Sequence, residues 1–86
     1  MKLYFHKNFD KQLGKLRKAE RKKIQERLIL FLRNPFNPLL DNHPLKGKYL
    51  DYRSINITGV LRAIYKLING DECIFVALDS HSNLYS

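Results

Sequence analysis

The dipeptide Asn69-Gly70 constrains this chain more than any other feature of its sequence. It lies between two apolar runs, Val60-Leu61-Arg62-Ala63-Ile64-Tyr65-Lys66-Leu67 and the stretch from Glu72 to Leu78. Each run has the length and the β-branched and aromatic content of a strand. Asn and Gly tolerate the positive φ that both central positions of a type I′ turn require, so the runs are predicted to fold back on each other as a hairpin. Upstream, Tyr49 to Ile57 reads as another strand, with Thr58-Gly59 as the turn into the next. The second half of the chain is therefore expected to be a three-stranded antiparallel meander.

The first half has a different period. Lys2 to His6 alternates, with Leu3 and Phe5 on one face, which predicts a short strand. Asn8 is a candidate helix cap. Phe9, Leu13 and Leu16 then recur at spacings of four and three and form one apolar stripe, with Lys7, Lys11, Lys15 and Lys18 on the other side. A second helix is predicted from Ala19 to Arg33, with Ile24, Leu28, Phe31 and Leu32 inward and Arg21, Lys22, Glu26 and Arg27 in water. The break between the helices is expected near Lys18-Ala19-Glu20. Asn34-Pro35 should end the second helix, because proline disfavours helical geometry in the residue before it. Residues 35–47 hold all three prolines and read as a loop.

These elements predict an α+β fold: a short N-terminal strand, a two-helix hairpin and a three-stranded antiparallel meander, with the helices on one face of the sheet and no C-terminal helix. A length of 86 residues suits one domain, spanning 1–86. The face that the helices leave open is the natural place for a site.

Charge is segregated between the two halves. Residues 1–34 hold 11 Lys or Arg and 3 Asp or Glu, whereas residues 35–86 hold 5 of each. The whole net charge of +8 thus lies in the first 34 residues, which points to an anionic partner: RNA, DNA or an acidic protein segment. A solvated helix face that keeps a small protein soluble accounts for the same pattern. The single cysteine, Cys73, cannot form an internal disulfide, which fits a reducing compartment. No apolar run approaches the ~20 residues of a membrane span, and the N-terminus is charged too early for a signal peptide. A soluble, cytoplasmic, basic domain with no membrane partner is the expectation.

No cysteine pair or His-x-x-x-His spacing marks a metal site, and the four glycines are too scattered for a phosphate loop, so no cofactor is expected. What remains is a set of separated polar residues. His43 opens His43-Pro44-Leu45-Lys46-Gly47, and His81 opens His81-Ser82-Asn83-Leu84-Tyr85. Imidazole gives or takes a proton near neutral pH. Arg62 interrupts an apolar strand, with Val60 and Ile64 expected on its face; a cation there needs a counter-charge such as Asp51 or Asp79, or a phosphate. Arg53 lies on the neighbouring strand. Lys46 and Lys48 read equally well as phosphate contacts or as solvent-facing lysines. Two proton-transfer groups beside fixed positive charge are what metal-free RNA cleavage requires, and Tyr85 can stack on a base.

The segments His43-Pro44-Leu45-Lys46-Gly47, Tyr52-Arg53, Ile64-Tyr65-Lys66-Leu67 and His81-Ser82-Asn83-Leu84-Tyr85 together resemble the YafQ branch of the RelE/ParE toxin superfamily. The resemblance covers residues 43–86 by motif and the helices by pattern. It implies a toxin of a type II toxin–antitoxin pair, a ribosome-dependent mRNA endonuclease that works by ribose 2′-oxygen attack without metal. By position, His43 and His81 match catalytic histidines and Tyr85 the functional aromatic, while Arg62 matches the strand arginine of the RelE branch. Arg53, Lys46 and Lys48 are then candidate RNA or phosphate contacts. Either histidine can be the base and the other the acid. Ser54, Asn56 and Val60 stand where the YafQ branch carries an acidic residue, a histidine and an aspartate. The implied partners are the ribosome with its RNA, mRNA and an acidic antitoxin. The alternatives are a non-enzymatic inhibitor of DNA gyrase, as in the ParE branch, and a catalytically weakened basic RNA-binding domain.

Overall fold

The computed structural model describes residues 1–85, with the side chains of all of these except His81 and Tyr85. Five strands form one sheet in the spatial order β1-β5-β4-β3-β2. Strand β1 is Lys2–Phe5, β2 is His43–Pro44, β3 is Arg53–Asn56, β4 is Leu61–Asn69 and β5 is Glu72–Ser80. Strands β3, β4 and β5 form the expected antiparallel meander. Strand β1 runs parallel to β5, with Leu3 opposite Cys73 and Phe5 opposite Phe75. At that edge the Tyr4 hydroxyl donates to Glu72 Oε2 at 2.8 Å, and Asn69 Nδ2 donates to Glu72 Oε1 at 2.8 Å. These two bonds, Tyr4 first, hold the Glu72 carboxyl below its ordinary range.

The hairpin forms, but one residue later than the dipeptide suggests. Asn69 is the last residue of β4 and Gly70-Asp71 is the loop. Among the described residues Gly47 is the only glycine at positive φ, so Gly70 does not adopt a type I′ conformation. The reason is local: Asn69 Oδ1 accepts from the Asp71 N–H at 2.8 Å, and the register shifts between Leu67 and Asn69. A side-chain turn after a bulge replaces the left-handed pair.

Helices α1 (Lys7–Gly14) and α2 (Lys18–Arg33) pack on one face. The cap of α1 is His6, whose Nδ1 accepts from the Asn8 N–H at 3.0 Å; Asn8 instead donates from Nδ2 to the Val76 carbonyl, tying α1 to β5. The break falls earlier than expected: α1 stops at Gly14, a poor helix former, and Glu20 folds back to accept from the Arg17 N–H at 3.3 Å. Asn34 is extended and ends α2 before Pro35, as proline geometry requires.

Phe9, Ile24 and Phe31 from the helices meet Ile55, Ala63, Tyr65, Cys73, Phe75 and Leu78 from the sheet in the main core. The rings of Phe31, Tyr65, Phe75 and Phe9 contact one another with centroids 5.0–5.8 Å apart. Burying each such side chain is worth about 1.5–3 kcal/mol, and each well-placed aromatic pair adds about 0.5–1.5 kcal/mol. Leu32, expected inward, is 46% exposed, because Phe31 takes the core position on that turn.

Two additions bear on the site. The predicted strand from Tyr49 to Ile57 is shortened, since Gly47–Tyr49 is a 3-10 turn, while the loop before it contributes β2, two residues long. A five-residue helix, α3 (His81–Tyr85), follows β5 where no helix was expected. Ser80 Oγ accepts from the Asn83 N–H at 3.2 Å, and Asp79 Oδ1 accepts from Asn83 Nδ2 at 3.0 Å, so the strand end itself caps this turn. Leu84 packs on Leu45, Ile64 and Ala77, a second, smaller core on the sheet face away from α1 and α2. No helix among the described residues is long and apolar enough to cross a membrane.

Candidate active site

Side chains alternate across a strand, so register decides which residues can meet. On β4, Ala63 and Tyr65 face the helices, while Arg62 and Ile64 face the other side. On β3, Ile55 faces the helices and Ser54 the other side; Ser54 lies opposite Ile64 and Asn56 opposite Arg62. Strand β2 places His43 opposite Ser54. The outer face of three adjacent strands thus carries His43, Ser54 and Arg62.

Arg62 is buried, at 2% exposure. Its Nε donates to Ser54 Oγ at 2.8 Å. Its Nη2 donates to the Asp41 carbonyl at 2.6 Å and to the Ser54 carbonyl at 3.2 Å. Its Nη1 reaches Asp41 Oδ2 at 3.4 Å, and the Asp41 side chain is 67% exposed. The sequence raised Asp51 and Asp79 as counter-charges, and the geometry substitutes Asp41. Asp79 does lie opposite Arg62 in register, but its carboxylate accepts from the Ser80 N–H and from Asn83 Nδ2. Val60, expected on the face of Arg62, precedes β4 and is 70% exposed.

His43 joins this cluster through the same peptide. Its Nδ1 lies 2.8 Å from the Asp41 carbonyl oxygen, 3.6 Å from Asp41 Oδ1 and 3.5 Å from Arg62 Nη2. A carbonyl oxygen only accepts, and guanidinium nitrogens only donate. The 2.8 Å contact therefore assigns a proton to Nδ1, and the 3.5 Å approach to Arg62 is a contact rather than a hydrogen bond. In the neutral ring the lone pair then resides on Nε2. One imidazole is thus held as a potential base within 3.5 Å of a fixed cation.

The backbone that delivers these groups is bent by left-handed residues. Asp41 has φ 44° and ψ 52°, and Asp51 has φ 73°. Gly47, at φ 65°, takes the same region without a Cβ penalty. All three lie within the segment from Asp41 to Tyr52, which carries His43, Lys46 and Lys48; such strain persists only where surrounding contacts enforce it. Asn42 supplies several of those contacts. Its Nδ2 donates to the Tyr65 hydroxyl at 2.7 Å and to the Pro35 carbonyl at 2.9 Å, and its Oδ1 accepts from Arg53 Nε at 2.9 Å. Burial, the largest influence, pushes the Tyr65 phenol above its ordinary value.

The structure does not bring Arg53 to Arg62. Arg53 lies opposite Tyr65, on the helix side, where it holds Asn42 and stacks 5.3 Å over Phe36. Lys46 and Lys48 are exposed on the segment before β3. His81 opens α3 directly after β5, but its side chain and that of Tyr85 lie outside the described residues. Among the described residues no group of three or more His, Cys, Asp or Glu is placed to hold a metal ion.

Asp41 and Ser54 are the members of this cluster that pattern reading missed as partners. Ser54 had a signal: it stands where the resembled branch carries an acidic residue, and its hydroxyl accepts from Arg62 Nε at 2.8 Å. Asp41 had only its position two residues before His43.

Known proteins share this fold. A family model described as "ParE toxin of type II toxin-antitoxin system, parDE" matches residues 3–85. Comparison with curated proteins gives no match. Among solved structures, YafQ from E. coli strain BL21(DE3) superposes with a TM-score of 0.78 at 20% identity, over 98% of this chain and 97% of its own. The E. coli DinJ-YafQ toxin-antitoxin complex gives a TM-score of 0.75 at 20% identity, over 98% and 96%. A copper-bound mutant toxin from Helicobacter pylori gives 0.66 at 32% identity, over 99% of both chains.

Proposed function

Because the chain belongs to the ParE toxin family of type II toxin–antitoxin systems, we propose that it poisons cells by cutting mRNA on the ribosome, as a metal-independent endoribonuclease. One observation carries this reading: the His43 ring, protonated on Nδ1 by its bond to the Asp41 carbonyl, lies 3.5 Å from the buried guanidinium of Arg62. A surface that only binds has no need of one backbone carbonyl that fixes both an imidazole and a buried guanidinium.

In the proposed reaction His43 Nε2 takes the proton from a ribose 2′ hydroxyl. The 2′ oxygen attacks the adjacent phosphorus, and the bond from phosphorus to the 5′ oxygen breaks. His81 gives its proton to that leaving oxygen. The products are a 2′,3′-cyclic phosphate and a 5′ hydroxyl, and no water is consumed. Arg62 stabilises the charge that builds on the phosphorane oxygens. The exposed Asp41 carboxylate holds Nη1 at only 3.4 Å, so a scissile phosphate displaces that weak contact without breaking the shorter bonds to the backbone. Tyr85 stacks on a base, and Lys46 and Lys48 meet phosphates. Arg53 acts at one remove, by fixing Asn42 beside His43.

The partner that restrains this activity is an antitoxin. The E. coli relative is crystallised as a toxin-antitoxin complex with DinJ. For this chain an acidic antitoxin fits the excess charge of residues 1–34.

A second reading, a non-enzymatic poison of DNA gyrase, is favoured by the same excess of basic charge lying away from His43 and Arg62. Induced expression of His43→Gln and His81→Ala, with sequencing of mRNA 5′ ends, separates the two. The nuclease reading expects both variants to relieve growth arrest and to erase new 5′ hydroxyl ends within codons. Arrest as strong as with the unsubstituted chain overturns it.

A further inference from the structure

Beyond Arg62, the outer face of the sheet carries a second group of side chains that the cleavage chemistry does not use. Tyr52 precedes β3 and shares the face of Ser54, roughly 7 Å further along the strand direction. The Leu45 N–H donates to the Tyr52 carbonyl at 2.9 Å, which extends the ladder between β2 and β3 to this point. The Tyr49 ring meets the Tyr52 ring edge-on, at 5.9 Å and 74°, and both rings are half-buried. Lys66 Nζ lies 5.4 Å from the Tyr52 centroid, and Lys48 Nζ lies 5.2 Å from that of Tyr49. The rings border a shallow cleft of about 390 Å³ whose floor is Val76 and Ala77, with His6 and Lys48 at its rim.

We infer that this cleft is a stacking subsite for one unpaired nucleobase of the RNA strand cut at Arg62. The inference rests on the endoribonuclease reading and adds to it a base-binding position distant from the scissile phosphate. The chemistry of the cleft selects that ligand. Two rings at a steep angle offer a face and a wall, which a flat aromatic base fills and a flexible aliphatic chain fills less well. Base stacking on an aromatic ring is worth about 1–3 kcal/mol and tolerates any base. Lys66 and Lys48 already lie over the ring faces, and a nucleotide offers each ammonium a phosphate in exchange for a ring. Lys46, also exposed, raises the positive charge on the same rim. The 390 Å³ volume sits at the small end of ligand-site sizes and suits a single nucleotide rather than a folded element. A cleft facing the same side as Arg62 lets one single strand occupy both.

The test uses the full chain and ribosomes programmed with a short mRNA in which one ribose at a time, within and beside the A-site codon, lacks its base. For the unsubstituted chain, loss of one particular base other than those flanking the cut should raise KM about tenfold and leave kcat unchanged. Tyr52→Leu should raise KM by a similar factor on intact mRNA and become indifferent to that missing base. Tyr52→Phe should behave as the unsubstituted chain. Lys66→Gln provides a second variant that keeps both members of the Tyr49–Tyr52 ring pair, and it should reduce the same sensitivity. If the unsubstituted chain cuts but its KM responds to no base outside the cleavage step, or if Tyr52→Leu keeps the full response, the subsite is overturned while the nuclease reading stands. If the unsubstituted chain cuts no programmed mRNA, the nuclease reading and the subsite fall together.

Discussion

In residues 1–34, eleven Lys and Arg face three acidic residues, and Lys7, Lys11, Lys15, Lys18, Arg21 and Lys22 are all exposed. In the meander half, charge sums to zero, yet Arg62 is 2% exposed and donates to Ser54 Oγ, the Ser54 carbonyl and the Asp41 carbonyl. These six helical charges are solvated and interchangeable. They set a long-range field and the salt dependence of association. Arg62 is single and oriented, in a place where water does not screen it. A net-charge count therefore locates the exposed basic surface and misses the one buried cation to which the proposed reaction assigns a role.

Removing Arg62 is the sharpest way to break that contrast. Arg62→Met should cut the rate of mRNA cleavage on programmed ribosomes by about 10²–10³-fold. It should also destabilise the fold by roughly 3 kcal/mol in urea unfolding, because Ser54 Oγ and two carbonyls lose their donor. A variant with native stability and native rate would show that the buried cation is ornamental.

The helical side should respond in the opposite way. Replacing Lys11, Lys15, Lys18 and Lys22 together with Gln should leave kcat and the unfolding midpoint nearly unchanged. Association with ribosomes should weaken, and the slope of log affinity against log salt should flatten by up to about four. A large fall in kcat at saturating ribosome would mean that the two regions are not separable.

The smallest effect concerns the layer both halves share. Cys73 is buried beneath the helices, and desolvation pushes its thiol from 9.0 up to about 11. A raised folded value means the stabilising contribution is complete below pH 9 and is lost as pH climbs through 11. Stability should therefore fall across pH 9–11 as the unfolded thiol ionises while the folded one holds its proton. Iodoacetamide at pH 8 should modify the native chain far more slowly than the urea-unfolded chain; equal rates would place the thiol at the surface.

The same division governs what could be read before the structure. The hairpin around Gly70 was legible because two long apolar runs and a turn dipeptide report the same geometry independently. The helix boundary at Arg33 was legible because proline acts on its immediate neighbour. Strand β2 was not, since two residues carry no period. Arg62 stood out as a charge in an apolar run, but its tie to Asp41 is a contact across 21 positions that no spacing rule encodes. Arg53 was grouped with Arg62 because both lie on neighbouring strands. Register separates them, since Arg53 lies opposite Tyr65 and Asn56 lies opposite Arg62. One residue of parity moves a guanidinium to the other side of the sheet.

One oxygen atom connects the two groups on which the proposed reaction depends. The Asp41 carbonyl accepts from Arg62 Nη2 at 2.6 Å and from His43 Nδ1 at 2.8 Å. The spacing of base and cation is therefore a property of the main chain, and trimming side chains one by one passes over this joint entirely. Asp41→Gly, which suits a left-handed φ, should leave the joint standing, whereas replacing that peptide by an ester, whose carbonyl accepts more weakly, would loosen it while keeping every side chain in place.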